Sequence, residues 1–214
     1  MPSRAVSFNC EDVTALILRR GELSYTGSKA ALEENHLDRQ ALARAIRNVA
    51  FLTGTFKLRS GQTSSFYWDK YRFESQPELL RAIAEELARL LPRDGFDRLA
   101  GLELGGIPLA TAVSLAVGKP CLFVRKQRKD YGTCNLVEGG FSRGERIVVV
   151  EDVITTAGQV VESVSQMREL GLEIKDVLCA IDRQQGGREK LGAIGCELRS
   201  VFSLQELDQL ASRA

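Results

Sequence analysis

From Leu37 onward, the apolar positions of the chain alternate between helical and extended spacing. Apolar residues three and four positions apart predict amphipathic helices, whereas short β-branched or alternating runs predict strands. The predicted helices cover residues 37–50, 77–92, 107–117, 158–170 and 204–210. The predicted strands cover residues 55–59, 65–71, 98–101, 121–125, 146–152, 175–181 and 198–202.

The order of these elements indicates the fold class. Beyond residue 98, strands and helices alternate, as in an α/β protein whose mostly parallel central sheet is flanked by helices on both faces. The segment 126–145 interrupts this order because it is long, polar and contains several glycines. Loops of that length within a domain are usually functional or disordered. Residues 1–36 show no clear pattern, and we expect them to form an N-terminal extension of unknown role.

Composition and charge exclude several classes of protein. The chain has 214 residues and a net charge of +1, which predicts no general affinity for nucleic acid or for anionic membranes. No apolar run approaches the roughly 18 residues of a membrane span. The five cysteines have no CxxC spacing and His36 is the single histidine. These features argue against disulfides and a metal-ligating cluster, and they favour a cytoplasmic protein with reduced thiols.

The most apolar strand leads into the segment with the most evident chemistry. The run Ile147–Val150 ends in Glu151 and Asp152, at the strand end where α/β proteins bind ligands. The small residues 155–158 follow and lead into a helix, so their free amides and the helix dipole suit a phosphate. Adjacent acids would repel a phosphate but suit sugar hydroxyls or Mg²⁺. This combination indicates a sugar phosphate, although an acidic strand end followed by a helix cap alone leaves a purely structural role open.

The whole pattern from Val148 to Val160 resembles the 5-phosphoribosyl 1-diphosphate (PRPP) signature of the type I phosphoribosyltransferases. Other segments resemble the orotate phosphoribosyltransferases of that family, in family order. Residues 56–67 are similar to its FxLKSGxxSPxY segment, and residues 125–133 to its RKxxKDYGT loop. Residues 182–187 are similar to its DRxxGG segment. The resemblance extends from about Leu37 to the C-terminus.

The resemblance implies a fold and a reaction. The fold would be type I phosphoribosyltransferase-like, with a small N-terminal hood at about 37–75 and a core at about 76–214. The reaction would convert orotate and PRPP to orotidine 5′-monophosphate and pyrophosphate, with Mg²⁺, in the de novo biosynthesis of UMP. Developing charge on ribose and pyrophosphate would need stabilisation, which the resemblance assigns to Glu151, Asp152 and the loop residue Lys129. The residues implied in binding PRPP are Arg59, Leu104, Gly105, Arg125, Lys126, Lys129, Tyr131, Glu151, Asp152, Val153, Ile154, Thr155, Thr156, Ala157, Gly158 and Gln159.

The same resemblance implies how orotate is bound. Arg183 corresponds to an arginine that contacts orotate, and a guanidinium group suits a carboxylate through its paired donors. Thr155, Tyr67 and Trp68 correspond to the other residues near the base. In the family the loop at 125–133 reaches into the site of a neighbouring subunit, which implies a homodimer.

Several residues depart from the family pattern. Gly105 stands where the family usually has a lysine, and Arg59 replaces a lysine of the LKSG segment. Ala157 and Gln159 replace the usual glycine and Ser/Thr of the phosphate loop.

Two other functions stay open. One is transfer to uracil or a purine, against which Arg183 argues. The other is a PRPP-sensing regulator, which would need a DNA-binding module that residues 1–36 are too short to provide.

Overall fold

The helices begin and end at local capping signals. In this computed structural model, which describes residues 37–57, 61–127 and 135–212, Oδ1 of Asp38 accepts a hydrogen bond from the amide of Ala41 at 2.7 Å and caps the first helix. Gly118 has a φ of 68° and ends the fourth helix, as expected for a left-handed C-terminal cap. The helices are α1 (Arg39–Ala50), α2 (Tyr71–Glu74), α3 (Pro77–Arg89), α4 (Gly106–Val117), α5 (Gly158–Glu169), α6 (Gly187–Ala193) and α7 (Leu204–Ser212).

The strands of the described residues form two sheets. An antiparallel hairpin of β1 and β2 stands apart from a six-stranded sheet whose order is β5-β4-β3-β6-β7-β8. Neighbouring strands of the larger sheet are parallel, except that β5 runs antiparallel to β4. The strands are β1 (Phe51–Lys57), β2 (Thr63–Trp68), β3 (Arg98–Leu102), β4 (Cys121–Val124), β5 (Val137–Glu138), β6 (Arg146–Ile154), β7 (Glu173–Asp182) and β8 (Glu197–Ser203).

The central strand β6 has a hydrophobic core on each of its faces. Val148 and Val150 pack into one buried cluster, whereas Ile147 and Val149 pack into another. Because successive side chains of a strand point to opposite faces, this division shows that both faces of the sheet are covered. The predicted α/β fold with a mostly parallel sheet is thereby confirmed.

The hairpin is held by aromatic side chains. Phe51 stacks on Phe66 at 5.5 Å between ring centroids and meets Trp68 edge-on at 5.6 Å. The hairpin is joined to α1 at its base, where the amide of Asp69 donates to the carbonyl of Ala50 at 2.8 Å. These contacts attach the hairpin at the position predicted for the hood.

Some predicted boundaries are wrong. The strand predicted at 146–152 continues to Ile154, because it pairs with β7 as far as Asp182. The strand predicted at 65–71 ends at Trp68, and Tyr71 begins α2. The strand predicted from 55 begins at Phe51, directly after α1. Helices α2 and α6 and strand β5 were not predicted, since four, seven and two residues are too few to show a clear period.

None of the helices in the described ranges has the length and apolar character that crossing a membrane requires.

Candidate active site

The predicted substrate-binding residues gather at one edge of the central sheet. The strands β3, β4, β6 and β7 are parallel, so their carboxyl ends meet at the same edge, where α/β proteins bind ligands. The predicted residues at this edge are Leu104 and Gly105 after β3, Arg125 and Lys126 after β4, Glu151, Asp152, Val153 and Ile154 at the end of β6, Thr155, Thr156, Ala157, Gly158 and Gln159 between β6 and the first turn of α5, and Arg183 after β7.

A cavity of about 570 Å³ lies between this edge and the hairpin. Its volume is in the range of small-molecule sites. All four residues that were predicted to contact orotate line it, namely Tyr67, Trp68, Thr155 and Arg183. The charged residues in its described lining are Arg183 and Lys70, and both are cations. The cavity therefore combines aromatic walls with positive charge.

A hydrogen bond between neighbouring strand ends fixes the position of Arg183. The amide of Arg183 donates to the carbonyl of Ile154 at 2.8 Å. The Nε atom of its side chain is buried and has no hydrogen-bond partner among the described residues. Because an unpaired buried donor is costly, this guanidinium group is suited to an anionic ligand.

The two acids of β6 lie in different surroundings. Asp152 is fully buried, and its Oδ1 atom accepts a hydrogen bond from the amide of Val153 at 2.5 Å. Its Oδ2 atom lies 2.6 Å from Nζ of Lys70. Glu151 is partly exposed, but its Oε2 atom is buried and has no hydrogen-bond partner among the described residues. Burial first, and then the charge of Asp152, holds the pKa of Glu151 well above its usual value.

Two glycines after β3 allow the chain to approach these acids. A Cβ atom on Gly105 would lie 1.6 Å from Oδ2 of Asp152, and one on Gly106 would lie 2.8 Å from Oε2 of Glu151. Real Cβ atoms do not come so close to other atoms, so a larger residue at either position would have to displace its neighbours. Gly105, where the family usually has a lysine, thus leaves room for the Asp152 carboxylate in this chain.

The loop between β6 and α5 has the form of a phosphate site. Thr156, Gly158 and Gln159 are exposed, whereas Ala157 is buried and has a left-handed φ of 55°. Helix α5 begins at Gly158, so its unpaired amides and positive dipole end lie at this loop. A non-glycine residue in this conformation costs about 1–2 kcal/mol. The local structure therefore tolerates Ala157 at some conformational cost.

One cation after β4 influences the pKa of Glu151. Lys126 is exposed, and its amide donates to Oε2 of Glu103 at 3.0 Å. Its charge lowers the pKa of Glu151, although burial outweighs this effect. Arg125 is partly buried, and its amide donates to the carbonyl of Leu136 at 2.9 Å. The first part of the predicted cationic loop is thus close enough to Glu151 to influence it.

Three predicted PRPP residues, Arg59, Lys129 and Tyr131, lie outside the described residues, and their roles stay predictions. Conversely, Lys70 and Glu74 were not predicted as site residues, although both are directed towards Asp152. The signal that could have identified them is their spacing of four around the apolar Phe73, which places them on one side of a helical turn.

Comparison with known proteins agrees with this geometry. Residues 72–197 match the model of the phosphoribosyl transferase domain. An orotate phosphoribosyltransferase of Nocardioides sp. is 50% identical over 167 residues, which cover 78% of this chain and 93% of the relative. The orotate phosphoribosyltransferase of Methanocella arvoryzae is 45% identical over 154 residues, which cover 72% of this chain and 87% of the relative.

Solved structures give the same result. The Mycobacterium tuberculosis orotate phosphoribosyltransferase in complex with Fe(III) dicitrate has a TM-score of 0.72 at 32% identity, covering 79% of this chain and 98% of that chain. The structure of that enzyme in complex with PRPP has a TM-score of 0.69 at 30% identity, covering 80% and 99% of the two chains. The chain therefore belongs to the phosphoribosyl transferase domain family and, within it, to the orotate phosphoribosyltransferases.

Proposed function

We propose that the protein transfers the phosphoribosyl group of PRPP to orotate and releases pyrophosphate. One observation supports this assignment above the others. The cavity beside the acids of β6 has aromatic walls and two cations, and its described lining contains no acid. Orotate is a planar anion with a carboxylate, whereas uracil and the purine bases lack that group. Such a lining suits orotate better than it suits those neutral bases.

The surroundings of the cavity suit the other substrate. The loop after β6 would bind the 5′-phosphate of PRPP, and Glu151 and Asp152 would accept hydrogen bonds from the ribose hydroxyls. Glu151 is the more accessible of the two acids. The amides of Leu104 and Gly105, with Arg125, Lys126 and Lys129, would neutralise the leaving pyrophosphate, and Tyr131 and Arg59 would complete its surroundings. Stabilising charge where it develops is commonly the largest contribution to catalysis.

Mg²⁺ is the proposed cofactor and would neutralise charge on the diphosphate. The described residues contain no cluster of three or more His, Cys, Asp or Glu side chains that could hold a metal ion. Mg²⁺ commonly binds through one or two carboxylates together with substrate phosphates. The buried, unpartnered Oε2 atom of Glu151 fits such a role. The ion would therefore arrive with PRPP, and the chain would add few ligands of its own.

We further propose that the protein is a homodimer in which the loop at 125–133 is shared between subunits. Two exposed apolar side chains on the elements that precede this loop offer surface to a partner: Leu115 on α4 is 83% exposed, and Phe123 on β4 is 37% exposed. The strand β4 leads directly into Arg125, which would bring the interface and the loop together.

The proposed setting is the cytoplasmic synthesis of UMP. The three cysteines within the described ranges, Cys121, Cys179 and Cys196, are free thiols, which suits a reducing compartment.

The assignment is tested by the loss of orotate absorbance in the presence of PRPP and Mg²⁺. We expect turnover with orotate and little with uracil or hypoxanthine at equal concentration. Preference for either of the other bases would refute the proposed substrate. Binding of PRPP without turnover of any base would instead indicate a sensor.

A further inference from the structure

Lys70 connects the base cavity with the acids of β6. Its Nζ atom lies 2.6 Å from Oδ2 of Asp152, and its side chain lines the cavity together with Arg183. Asp152 is fully enclosed, whereas the side chain of Lys70 is 34% exposed. Of this ion pair, Lys70 is therefore the member whose side chain a ligand in the cavity can reach.

Glu74 completes the group that holds this ammonium. A Cβ atom added to Gly105 would lie 1.6 Å from Oδ2 of Asp152 and 2.9 Å from Oε1 of Glu74. The two carboxyl groups therefore lie close together beside Gly105. Glu74 is 7% exposed, and its Oε1 atom has no hydrogen-bond partner among the described residues. One ammonium and two carboxyl groups thus meet where Gly105 leaves room for them.

The short helix α2 brings Lys70 and Glu74 together. Lys70 precedes the helix and Glu74 ends it, and residues four apart lie on the same side of a helical turn. The amide of Glu74 donates to the carbonyl of Lys70 at 3.4 Å. Phe73, which lies between them in the sequence, is fully buried and anchors the turn in the core. The orientation of Lys70 is therefore set by packing as well as by charge.

The protonation states agree with this arrangement. Burial first, and then the charge and hydrogen bond of Asp152, raises the pKa of Glu74 to about 9. Burial alone would lower the pKa of Lys70, but the charge and hydrogen bond of Asp152 outweigh it and raise that pKa. At neutral pH a neutral Glu74 and a cationic Lys70 can therefore both contact Asp152.

We propose that Lys70 is a second cation of the base-binding site, held in place by Asp152 and Glu74, and that it contacts the anionic base together with Arg183. This inference rests on the proposed function. Lys70 follows the aromatic residues Tyr67 and Trp68 on the same segment, so it belongs to the wall of the cavity rather than to the phosphate loop. Asp152 and Glu74 are then positioning residues for base binding, whatever contact Asp152 also makes with ribose.

The first experiment replaces Lys70 by Met, which has a similar length and no charge. We expect Lys70→Met to raise KM for orotate by roughly tenfold to hundredfold, the usual effect of losing a charge-assisted hydrogen bond. KM for PRPP should change much less, and Lys70→Arg should restore most of the affinity for orotate. The matched control is Lys190→Met, which replaces an exposed lysine of α6 that does not line the cavity. A change confined to KM for PRPP would instead assign Lys70 to the diphosphate and overturn the proposal.

A double-mutant cycle tests the anchoring by Asp152. Asp152→Asn should raise KM for orotate. The double variant Lys70→Met/Asp152→Asn should have a KM for orotate little higher than that of Lys70→Met alone, because both changes remove the same contact. Additive effects would refute the anchoring. The double variant also leaves no uncompensated buried charge, so it tests the role of Lys70 even where Lys70→Met does not fold.

Glu74 offers an independent measurement. Gln at position 74 can still donate a hydrogen bond to Asp152, whereas Leu has a similar size and cannot. We expect Glu74→Leu to raise KM for orotate more than Glu74→Gln does. Equal values would leave Glu74 a packing residue only and refute its positioning role.

The outcomes separate this inference from the proposed function. A wild-type protein that does not turn over orotate would contradict the proposed function. Normal turnover with a KM for orotate that Lys70→Met does not change would contradict this inference alone.

Discussion

The amide of Arg183 and the carbonyl of Ile154 are joined by a hydrogen bond of 2.8 Å, which ties the end of β7 to the start of the phosphate loop. The side chain of Arg183 therefore enters the base cavity from a backbone position that the sheet itself fixes. A rigid position of this kind limits how far a substituted side chain can compensate by moving.

We therefore expect Arg183→Ala to raise KM for orotate by roughly tenfold to hundredfold, since a hydrogen bond to a charged group contributes about 1.5–3 kcal/mol. Arg183→Lys should recover part of this loss only, because Lys lacks the paired donors. Initial rates at varied orotate would give these values. The control is Arg81→Ala, on the exposed side of α3. If Arg183→Ala and Arg81→Ala had equal KM values for orotate, Arg183 would not contact the base.

Gly105 gives a steric test of the cluster around Asp152. Because a Cβ atom would lie 1.6 Å from Oδ2 of Asp152, we expect Gly105→Ala to displace that carboxylate and to lower kcat/KM by at least about tenfold, or roughly 1.4 kcal/mol. The control is Gly192→Ala in α6, where an added Cβ has no neighbour within 4 Å. That variant should retain activity and gain up to about 1 kcal/mol of helix stability. Similar activities for the two variants would contradict the close approach.

The raised pKa of Glu74 predicts a pH-dependent stability. The folded chain keeps this proton up to about pH 9, whereas an ordinary glutamate loses it near 4.5. Between these values the unfolded chain binds fewer protons, so the stability of the wild type falls as pH rises, by at most about 1.4 kcal/mol per pH unit. Glu74→Gln has no such proton and should gain in stability relative to the wild type across this window.

Urea unfolding at several pH values between about 5 and 9 measures this difference. Glu162→Gln, on the exposed side of α5, serves as the control and should follow the wild type. If the curves of Glu74→Gln and the wild type are parallel over this range, Glu74 does not hold the extra proton.

A mixing experiment tests whether the active sites are shared between subunits. At an orotate concentration near the wild-type KM, Lys129→Ala and Arg183→Ala should each have little activity. In a mixed dimer one site would combine both lesions and the other would have neither, so random mixing should restore about one quarter of the wild-type activity. The two variants are refolded or expressed together and compared with each variant alone. Activity no greater than the average of the separate variants would mean that each loop serves its own subunit.

The sequence predicted the α/β fold because β6 and its neighbours are long apolar runs with clear periods. The resemblance to the family selected Tyr67, Trp68, Thr155 and Arg183, and the structure brings these four to one cavity from distant segments. The apolar pattern did not predict the extension of β6 through Val153 and Ile154, because the acids before them resemble a strand end. Only the pairing with β7 reveals that Asp152 lies inside the strand.

Lys70 and Glu74 were missed for a related reason. They belong to a polar segment in which a four-residue helix leaves no measurable period. Their importance comes from Asp152, which is more than seventy residues away in sequence. Likewise, the sequence shows Gly105 only as a departure from the family's lysine, and the structure adds its closeness to Asp152. Single-sequence patterns describe local periodicity well, but they contain little information about which distant groups a side chain meets.

The separation of the β1–β2 hairpin from the main sheet has a thermodynamic consequence. An isolated two-stranded hairpin is marginally stable in water, yet this hairpin supplies the aromatic wall formed by Tyr67 and Trp68. A ligand that binds only while the hairpin is folded stabilises the folded hairpin by about 2.7 kcal/mol at a concentration one hundred times its Kd. Base binding would then slow hydrogen exchange in β2 far more than in β6, and substitutions that loosen the hairpin would weaken the affinity for the base without touching the cavity.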